Sequence, residues 1–170
     1  MARIISRFLV RFFSPEFAVF LVSLLPILEL RGGMIAAALL NIPWYTALII
    51  SFIGNMLLVY ITITSVDGLL KWMKGIKPLH GLAGWIENKG AKQGAALAKE
   101  YPRRLYLGLM LFVAIPLPGT GGWTGALIAS VLHLDPKKSG FSICLGVFTA
   151  GIFMSVVAYV VPVLLTEVRI

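Results

Sequence analysis

Long uncharged stretches dominate the pattern of hydrophobic and polar positions along the chain. Residues 32–66, 105–132 and 139–166 contain no Asp, Glu, Lys, Arg or His, and a shorter uncharged stretch covers 17–28. A helix needs about 20 apolar residues to cross a bilayer, and an uncharged run of about 18 is already a candidate span. Each long stretch therefore predicts a helical segment within the membrane.

The stretch 32–66 is too long for one crossing. As a single helix it would measure roughly 52 Å, against a hydrocarbon core of about 30 Å. Asn41-Ile42-Pro43 is the expected break, because proline lacks a donor and disfavours helix at the residue before it. The remainder, Trp44–Val66, suits one full span, with Trp44 and Tyr45 as anchors at the interface.

The stretch 105–132 is interrupted at its centre by the sequence Ile115-Pro116-Leu117-Pro118-Gly119-Thr120-Gly121-Gly122-Trp123. Two prolines and three glycines so close together cannot continue an α-helix. The arms Leu105–Ile115 and Trp123–Leu132 are each about 15 Å long at helical rise, half the thickness of a bilayer. This pattern predicts a re-entrant hairpin, and a single kinked span is the alternative.

A similar break occurs near the N-terminus, where an apolar arm reaches Pro26 and a glycine pair follows at Gly32 and Gly33. The chain thus carries a weak repeat of a hairpin followed by a span, a pattern found in transporters. We predict an all-α polytopic integral membrane protein with two re-entrant helical hairpins, each followed by a transmembrane span. The expected organisation is a single membrane domain, 1–170, comprising a basic amphipathic segment (1–14), a first hairpin plus span (15–66), a basic cytoplasmic loop or helix (67–104), a second hairpin (105–134) and a last span (139–166).

The composition agrees with a membrane protein. Hydrophobic residues make up 59% of the 170 residues and charged residues 13%, whereas soluble domains carry about 45–50% and about 25%. One cysteine, Cys144, excludes an intrachain disulfide and a cysteine-based zinc site. With only two histidines, far apart, we expect no metal and no cofactor. An enzyme is the least favoured class, because no catalytic set of side chains is apparent.

Charge predicts the orientation of part of the chain. The formal net charge is +8, and the segment 67–104 carries an excess of Lys and Arg, which places it in the cytoplasm by the positive-inside rule. Membrane lipids are expected partners, and nucleic acid is not, because the charge is diffuse. The side of the N-terminus stays open. Arg3, Arg7 and Arg11 favour the cytoplasm, whereas antiparallel halves would put the N-terminus outside.

Glu29 and Arg31 are the only charged residues between Phe17 and Val66. Ionisable groups at membrane depth are costly and usually face a cavity or a partner. We expect Glu29 to bind a proton or a cation and Arg31 to bind an anionic group such as phosphate or carboxylate. The alternative is that both lie at a helix end near the headgroups, with the Arg31 side chain extended to the interface.

The remaining candidate residues lie around the two breaks. We expect the glycine N–H groups of the second break to form an anion site and the threonines there to add hydroxyls. A mid-span asparagine either completes a polar cavity or hydrogen-bonds a neighbouring helix. A glycine turn that only permits a tight bend is the alternative. With Glu29 and Arg31, the predicted substrate- or proton-binding residues are Pro26, Gly32, Gly33, Asn55, Pro116, Pro118, Gly119, Thr120, Gly121, Gly122 and Thr124; no catalytic residue is predicted.

These motifs resemble those of a known family. Pro26-x-x-Glu29-x-Arg31-Gly32, Gly54-Asn55, and Phe112-Val113-Ala114-Ile115-Pro116-Leu117-Pro118-Gly119-Thr120-Gly121-x-Trp123-Thr124-Gly125-Ala126 resemble the small multidrug export proteins, which are distantly similar to DedA-type membrane proteins. DedA-type proteins carry arginines around the second proline break, where this chain has Ala114, Leu117 and Gly119. That difference leaves Arg31 as the candidate cation.

The resemblance implies a multi-pass protein of a prokaryotic inner membrane with transporter-like architecture. We expect a small, proton-coupled transporter of a small amphipathic or anionic solute or of a lipid phosphate. The two breaks would meet at mid-membrane, and the chain would act as a homodimer because few spans enclose little cavity. The alternative is a non-transporting membrane factor that organises lipids or partner proteins.

Overall fold

The computed structural model describes residues 14–75, 80–101, 104–117 and 119–162. Over these ranges the fold is entirely helical, which confirms the predicted all-α class. The helices are α1 (Pro15–Ser23), α2 (Glu29–Leu39), α3 (Trp44–Lys74), α4 (His80–Glu100), α5 (Leu105–Ala114), α6 (Gly122–Val131) and α7 (Pro136–Ser155), and α7 continues into a π-helical segment, Val156–Val160. The basic repeat of Arg3, Arg7 and Arg11 lies outside the described residues, as do 163–166 of the predicted last span.

Side-chain caps and prolines fix where two of the helices begin. The Ser14 hydroxyl accepts a hydrogen bond of 3.3 Å from the Phe17 N–H, and Pro15 opens α1. Asp135 caps α7 in the same way, since its Oδ1 accepts from the Lys138 N–H at 2.9 Å. Such caps satisfy N–H groups that have no partner within the helix.

Left-handed residues fix where α2 and α6 end. Asn41 has φ +56° and His133 has φ +50°. The next amide in each case reaches back, from Ile42 to the Ala37 carbonyl at 3.0 Å and from Leu134 to the Ala129 carbonyl at 2.9 Å. This is the hydrogen-bond pattern of a Schellman C-cap. The predicted break at Asn41-Ile42-Pro43 is therefore a helix end closed by Asn41.

The chain divides into two compact units, which are described separately. Among the described residues, the first unit comprises 14–57 with 147–162, and the second comprises 58–146. Helices α3 and α7 each contribute one part to each unit. The first proline break lies in the first unit and the second break in the second unit.

Small residues allow close helix packing in the first unit. Helix α1 packs against α2, and α2 against the π-helical segment. A Cβ on Gly54 would lie 2.9 Å from the Phe20 carbonyl oxygen, and one on Gly151 would lie 2.5 Å from the Leu48 Cδ1. No side chain fits at these two positions without a shift, so glycine lets α3 approach α1 and lets α7 approach α3.

The second unit is built around α6, almost all of which is buried. Helix α4 packs on α6 and α5, and α5 packs on α6. A Cβ on Gly125 would lie 2.7 Å from the Val113 side chain, and one on Gly146 would lie 2.7 Å from the Met110 carbonyl oxygen. The arms of the second break are thus packed tightly against each other and against α7.

Within the described ranges, two helical segments are long and apolar enough to cross a membrane, by length and composition: Trp44–Val66 and Pro136–Val160. Both turn apolar side chains outward. On α3, Ile49, Ile53 and Leu57 are exposed, whereas Ser51 and Asn55 are buried. A water-soluble protein shows the reverse arrangement. Helix α3 also continues beyond the predicted span to Lys74.

Candidate functional site

At the first break, a buried acidic residue, Glu29, follows closely after an exposed apolar residue, Ile27. Residues 24–28 join α1 to α2, with Pro26 in the middle of the turn. Ile27 is 92% exposed, whereas Glu29 is only 5% exposed. The Glu29 N–H donates a 2.8 Å hydrogen bond to the Leu25 carbonyl, which fixes the first residue of α2 against the turn.

Glu29 also has an unusual backbone conformation. Its φ is +50°, in the left-handed region, although it is the first residue of a right-handed helix. This conformation costs a non-glycine residue roughly 1–2 kcal/mol. Strain of this kind persists where the surroundings impose it, and such residues cluster at functional sites. Burial and strain together single out Glu29 among the described acidic residues.

Arg31 lies two residues further along and is half-buried. Its guanidinium interacts electrostatically with the Glu29 carboxylate. A buried charge is costly unless a partner compensates it, so the two side chains reduce each other's cost of burial. This pair combines a carboxylate that can carry a proton with a planar cation suited to oxyanions.

Two serines meet a glycine beside this pair. A Cβ on Gly33 would collide with the Ser23 hydroxyl and would lie 2.5 Å from the Ser51 hydroxyl. The Ser23 hydroxyl donates to the Val19 carbonyl at 2.8 Å. The Ser51 hydroxyl is fully buried and makes no hydrogen bond within the described residues. Sequence reasoning missed both serines, since an isolated serine in an apolar helix gives no signal.

Asn55 is a further buried polar residue on the same side as Ser51. We call Ser23, Ser51 and Asn55 the polar layer of the first unit. Asn55 is 1% exposed, and its Oδ1 has no hydrogen-bond partner within the part of the chain described. Helices α2 and α3 are joined by a short turn and run in opposite directions. From the contact of Gly33 with Ser51, one helical turn towards the first break leads to Glu29 on α2 and to Asn55 on α3. The register thus brings Glu29 and Asn55 to a similar level.

The second break is a loop whose polar groups mostly bond to each other. The Thr120 hydroxyl lies 2.8 Å from the Ile115 carbonyl and 2.9 Å from the Leu117 carbonyl. Gly119 and Gly121 have φ of +86° and +145°, which only glycine adopts readily. These bonds hold the Thr120 hydroxyl within the loop, so it supports the bend.

Side chains of helix α4 contact this loop and the start of α6. Gln93 Nε2 donates to the Gly119 carbonyl at 3.4 Å. The Lys89 ammonium lies 5.2 Å from the Trp85 ring and 5.6 Å from the Trp123 ring, within cation–π range. Sequence reasoning treated this segment as a polar loop or helix and missed the contact.

Glycine spacing could have revealed that packing. A Cβ on Gly90 would lie 3.1 Å from Val131, and one on Gly94 would lie 3.1 Å from Leu132. Glycines four residues apart form one stripe of a helix and allow close approach. The Gly90-x-x-x-Gly94 pattern was therefore the available signal that α4 lies against α6.

The other predicted site residues divide between the two units. In the first unit, Gly32 and Gly33 lie inside α2, after the turn that bears Pro26. In the second unit, Pro116 lies in the loop, Gly121 and Gly122 are buried where α6 begins, and Thr124 is buried in its first turn. Pro118 lies outside the described residues. No cluster of His, Cys, Asp or Glu that could hold a metal ion occurs in the described chain.

Comparison with known proteins gives one match. The family model described as "Putative small multi-drug export protein" matches residues 29–153, well over half of the chain. Searches of curated proteins and of solved structures found no match. The matched region begins at Glu29 and includes Ser51 and Asn55 of the polar layer and the whole second break. The chain belongs to the small multi-drug export protein family.

Proposed function

We propose that this chain is a multi-pass transporter of a prokaryotic inner membrane. It moves a small amphipathic or anionic solute, or a lipid phosphate, and Glu29 carries the coupling proton. The observation that carries this proposal is the buried, strained Glu29 next to Arg31. Membership of an export family supports transport rather than catalysis.

The outward apolar faces of α3 and α7 support a position in the membrane. Phe141, Phe148 and Ile152 on α7 are exposed in the same way as the isoleucines of α3. Lipid accommodates such faces, and a transporter then buries its polar groups inward, where substrate and ions bind. In the proposed protein, the two proline breaks are re-entrant hairpins and the chain acts as a homodimer.

Within the site, each polar group has a distinct proposed task. Glu29 takes up a proton from one side of the membrane and releases it to the other. Arg31 binds the phosphate or carboxylate of the substrate, because a guanidinium presents paired donors to an oxyanion. Ser51 and Asn55 supply hydrogen bonds for a polar solute or for water.

Uptake into proteoliposomes tests the proposal. Purified protein is reconstituted, an outside-acid pH gradient is imposed, and three probes are compared: inorganic phosphate, a fluorescent amphipathic dye and a fluorescent short-chain phosphatidic acid. We expect at least one probe to accumulate above the level of protein-free liposomes. Arg31→Ala should abolish uptake of an anionic probe, whereas Arg104→Ala, which removes an exposed arginine, should not.

The outcome separates transport from its alternative. A protein that organises lipids without carrying a substrate would fold and reconstitute but move none of the three probes. Equal uptake by wild type and Arg31→Ala would contradict the assignment of Arg31 as the anion-binding residue. Circular dichroism of the purified variants checks that they are folded.

A further inference from the structure

A cavity of about 230 Å³ lies in the second unit, apart from the residues of the proposed transport site. It is much larger than the space needed by one water molecule. Four apolar residues, one serine and one histidine line it. The lining residues are Ile63, Ala129, Ser130, His133, Leu134 and Pro136.

Ser130 provides the first sign of a ligand. Its side chain is 9% exposed, and its hydroxyl makes no hydrogen bond within the described residues. A serine on a helix commonly satisfies its hydroxyl on a carbonyl one turn earlier, as Ser23 does. Buried polar groups are almost always paired, so the unpaired Ser130 hydroxyl calls for a partner in the cavity.

His133 provides the second sign. It occupies the left-handed position that ends α6, with φ +50°. The His133 N–H bonds to the Ser130 carbonyl at 2.9 Å, and Leu134 closes the cap. Glycine is the usual residue here, because it adopts this conformation without cost. A histidine at this position strains the backbone, and His133 is an exposed residue that lines the cavity.

The charges next to the cavity favour an anion. Lys137 and Lys138 are exposed and directly follow Pro136, which lines the cavity. Asp135 is the opposing charge, and its carboxylate is engaged as the cap of α7 through the Lys138 N–H. The segment that follows the lining residue Pro136 therefore carries two lysines against the one carboxylate of Asp135, an excess of positive charge.

We propose that this cavity binds the phosphate group of a small amphiphile. The Ser130 hydroxyl and the His133 imidazole hydrogen-bond the phosphate oxygens, and the two lysines attract the negative charge. Ile63 and Leu134 contact the first carbons of the attached apolar part. The phosphate comes either from a lipid headgroup or from a free phosphate compound. The lining residues include neither Glu29 nor Arg31, and the proposal does not depend on the proposed transport.

The two histidines of the chain make a direct test possible. The full chain, with ¹⁵N-labelled histidine, is purified in a maltoside detergent that contains no phosphate. The probes are inorganic phosphate and dihexanoyl phosphatidic acid, followed by NMR of the imidazole nitrogens. We expect saturable shifts of the His133 resonances, whereas His80, which lies on α4 away from the cavity lining, stays unchanged.

Variants establish which groups bind. Ser130→Ala should weaken the binding at least tenfold. Ser139→Ala is the matched control, because its hydroxyl is also buried and unpaired but does not line the cavity. His133→Gly should lose binding, as measured by the intrinsic fluorescence of the chain. The same variant should unfold at an equal or higher temperature, because glycine removes the backbone strain at this left-handed position.

The outcomes are distinct. Shifts with phosphatidic acid alone indicate a lipid source, and shifts with both probes indicate that phosphate itself is recognised. No saturable shift with either probe at millimolar concentration overturns the proposal. So does Ser130→Ala binding that equals the wild type while the His80 resonances report an intact fold.

Discussion

The Tyr159 hydroxyl donates a 2.8 Å hydrogen bond to the Ile42 carbonyl, across 117 residues of sequence. Ile42 precedes Pro43 in the turn between α2 and α3, outside both helices. Tyr159 lies in the π-helical segment that extends α7. The Ile42 carbonyl in the turn between α2 and α3 is therefore hydrogen-bonded by a residue of the π-helical segment in the same unit.

Removal of that hydroxyl should destabilise the first unit. We expect Tyr159→Phe to lower the free energy of unfolding by about 1–2 kcal/mol, because the Ile42 carbonyl loses its partner in a partly buried site. Thermal unfolding in detergent, followed by circular dichroism, measures the change. Tyr60→Phe, at a tyrosine that is 65% exposed, is the control and should have no effect. Equal unfolding temperatures for both variants would rule out a stabilising role of the bond.

Gly33→Ala tests the contact of α2 with the two serines. The added methyl would collide with the Ser23 hydroxyl and press on Ser51, so we expect a loss of about 1–3 kcal/mol of stability. Gly140→Ala is the matched control, because nothing lies within 4 Å of its Cβ position on α7. That control should stabilise slightly, since alanine favours helix over glycine. A neutral Gly33→Ala would contradict the close packing.

Asn55→Leu separates function from stability. The buried Asn55 Oδ1 has no hydrogen-bond partner within the described residues, so an apolar replacement of similar size should leave the unfolding temperature equal or higher. If Asn55 serves the transported solute or water, the same variant should lose at least tenfold in uptake by proteoliposomes. A variant that is stable and transports normally would remove Asn55 from the site.

Labelling from each side of the membrane tests the second hairpin. Arg104 and Lys137 flank it, and both are exposed. With Cys144 replaced by serine, single cysteines at positions 104 and 137 should react with an impermeant maleimide from the same, cytoplasmic face. Reaction from opposite faces would make α5 and α6 parts of one plain span.

The sequence predicted the helical class and the ends of several elements because prolines and left-handed glycines act locally. Pro43 predicted the break between α2 and α3, and the prolines and glycines from Pro116 onward predicted the loop between α5 and α6. Helix lengths were harder to predict, because the end of an apolar stretch need not be the end of a helix. The uncharged stretch ends at Val66, but residues 67–74 contain no proline and α3 continues to Lys74, within the segment expected to be a loop or helix.

The site was only partly predictable for a related reason. Glu29 and Arg31 stand out as charges in an apolar stretch. Ser23 and Ser51 do not, since their importance comes from a tertiary contact at Gly33. The strain at Glu29 is likewise invisible in sequence, because a glutamate gives no signal for a left-handed backbone such as its φ of +50°.

The central claim is that Glu29 carries the coupling proton, and proton flux measures it most directly. Liposomes containing a pH-sensitive dye are loaded with wild-type protein, Glu29→Gln or the exposed control Glu16→Gln, and the lumenal pH is recorded after addition of a probe that the wild type transports. We predict substrate-driven acidification or alkalinisation with wild type and Glu16→Gln and none with Glu29→Gln. The same proton flux through Glu29→Gln as through the wild type would contradict the account.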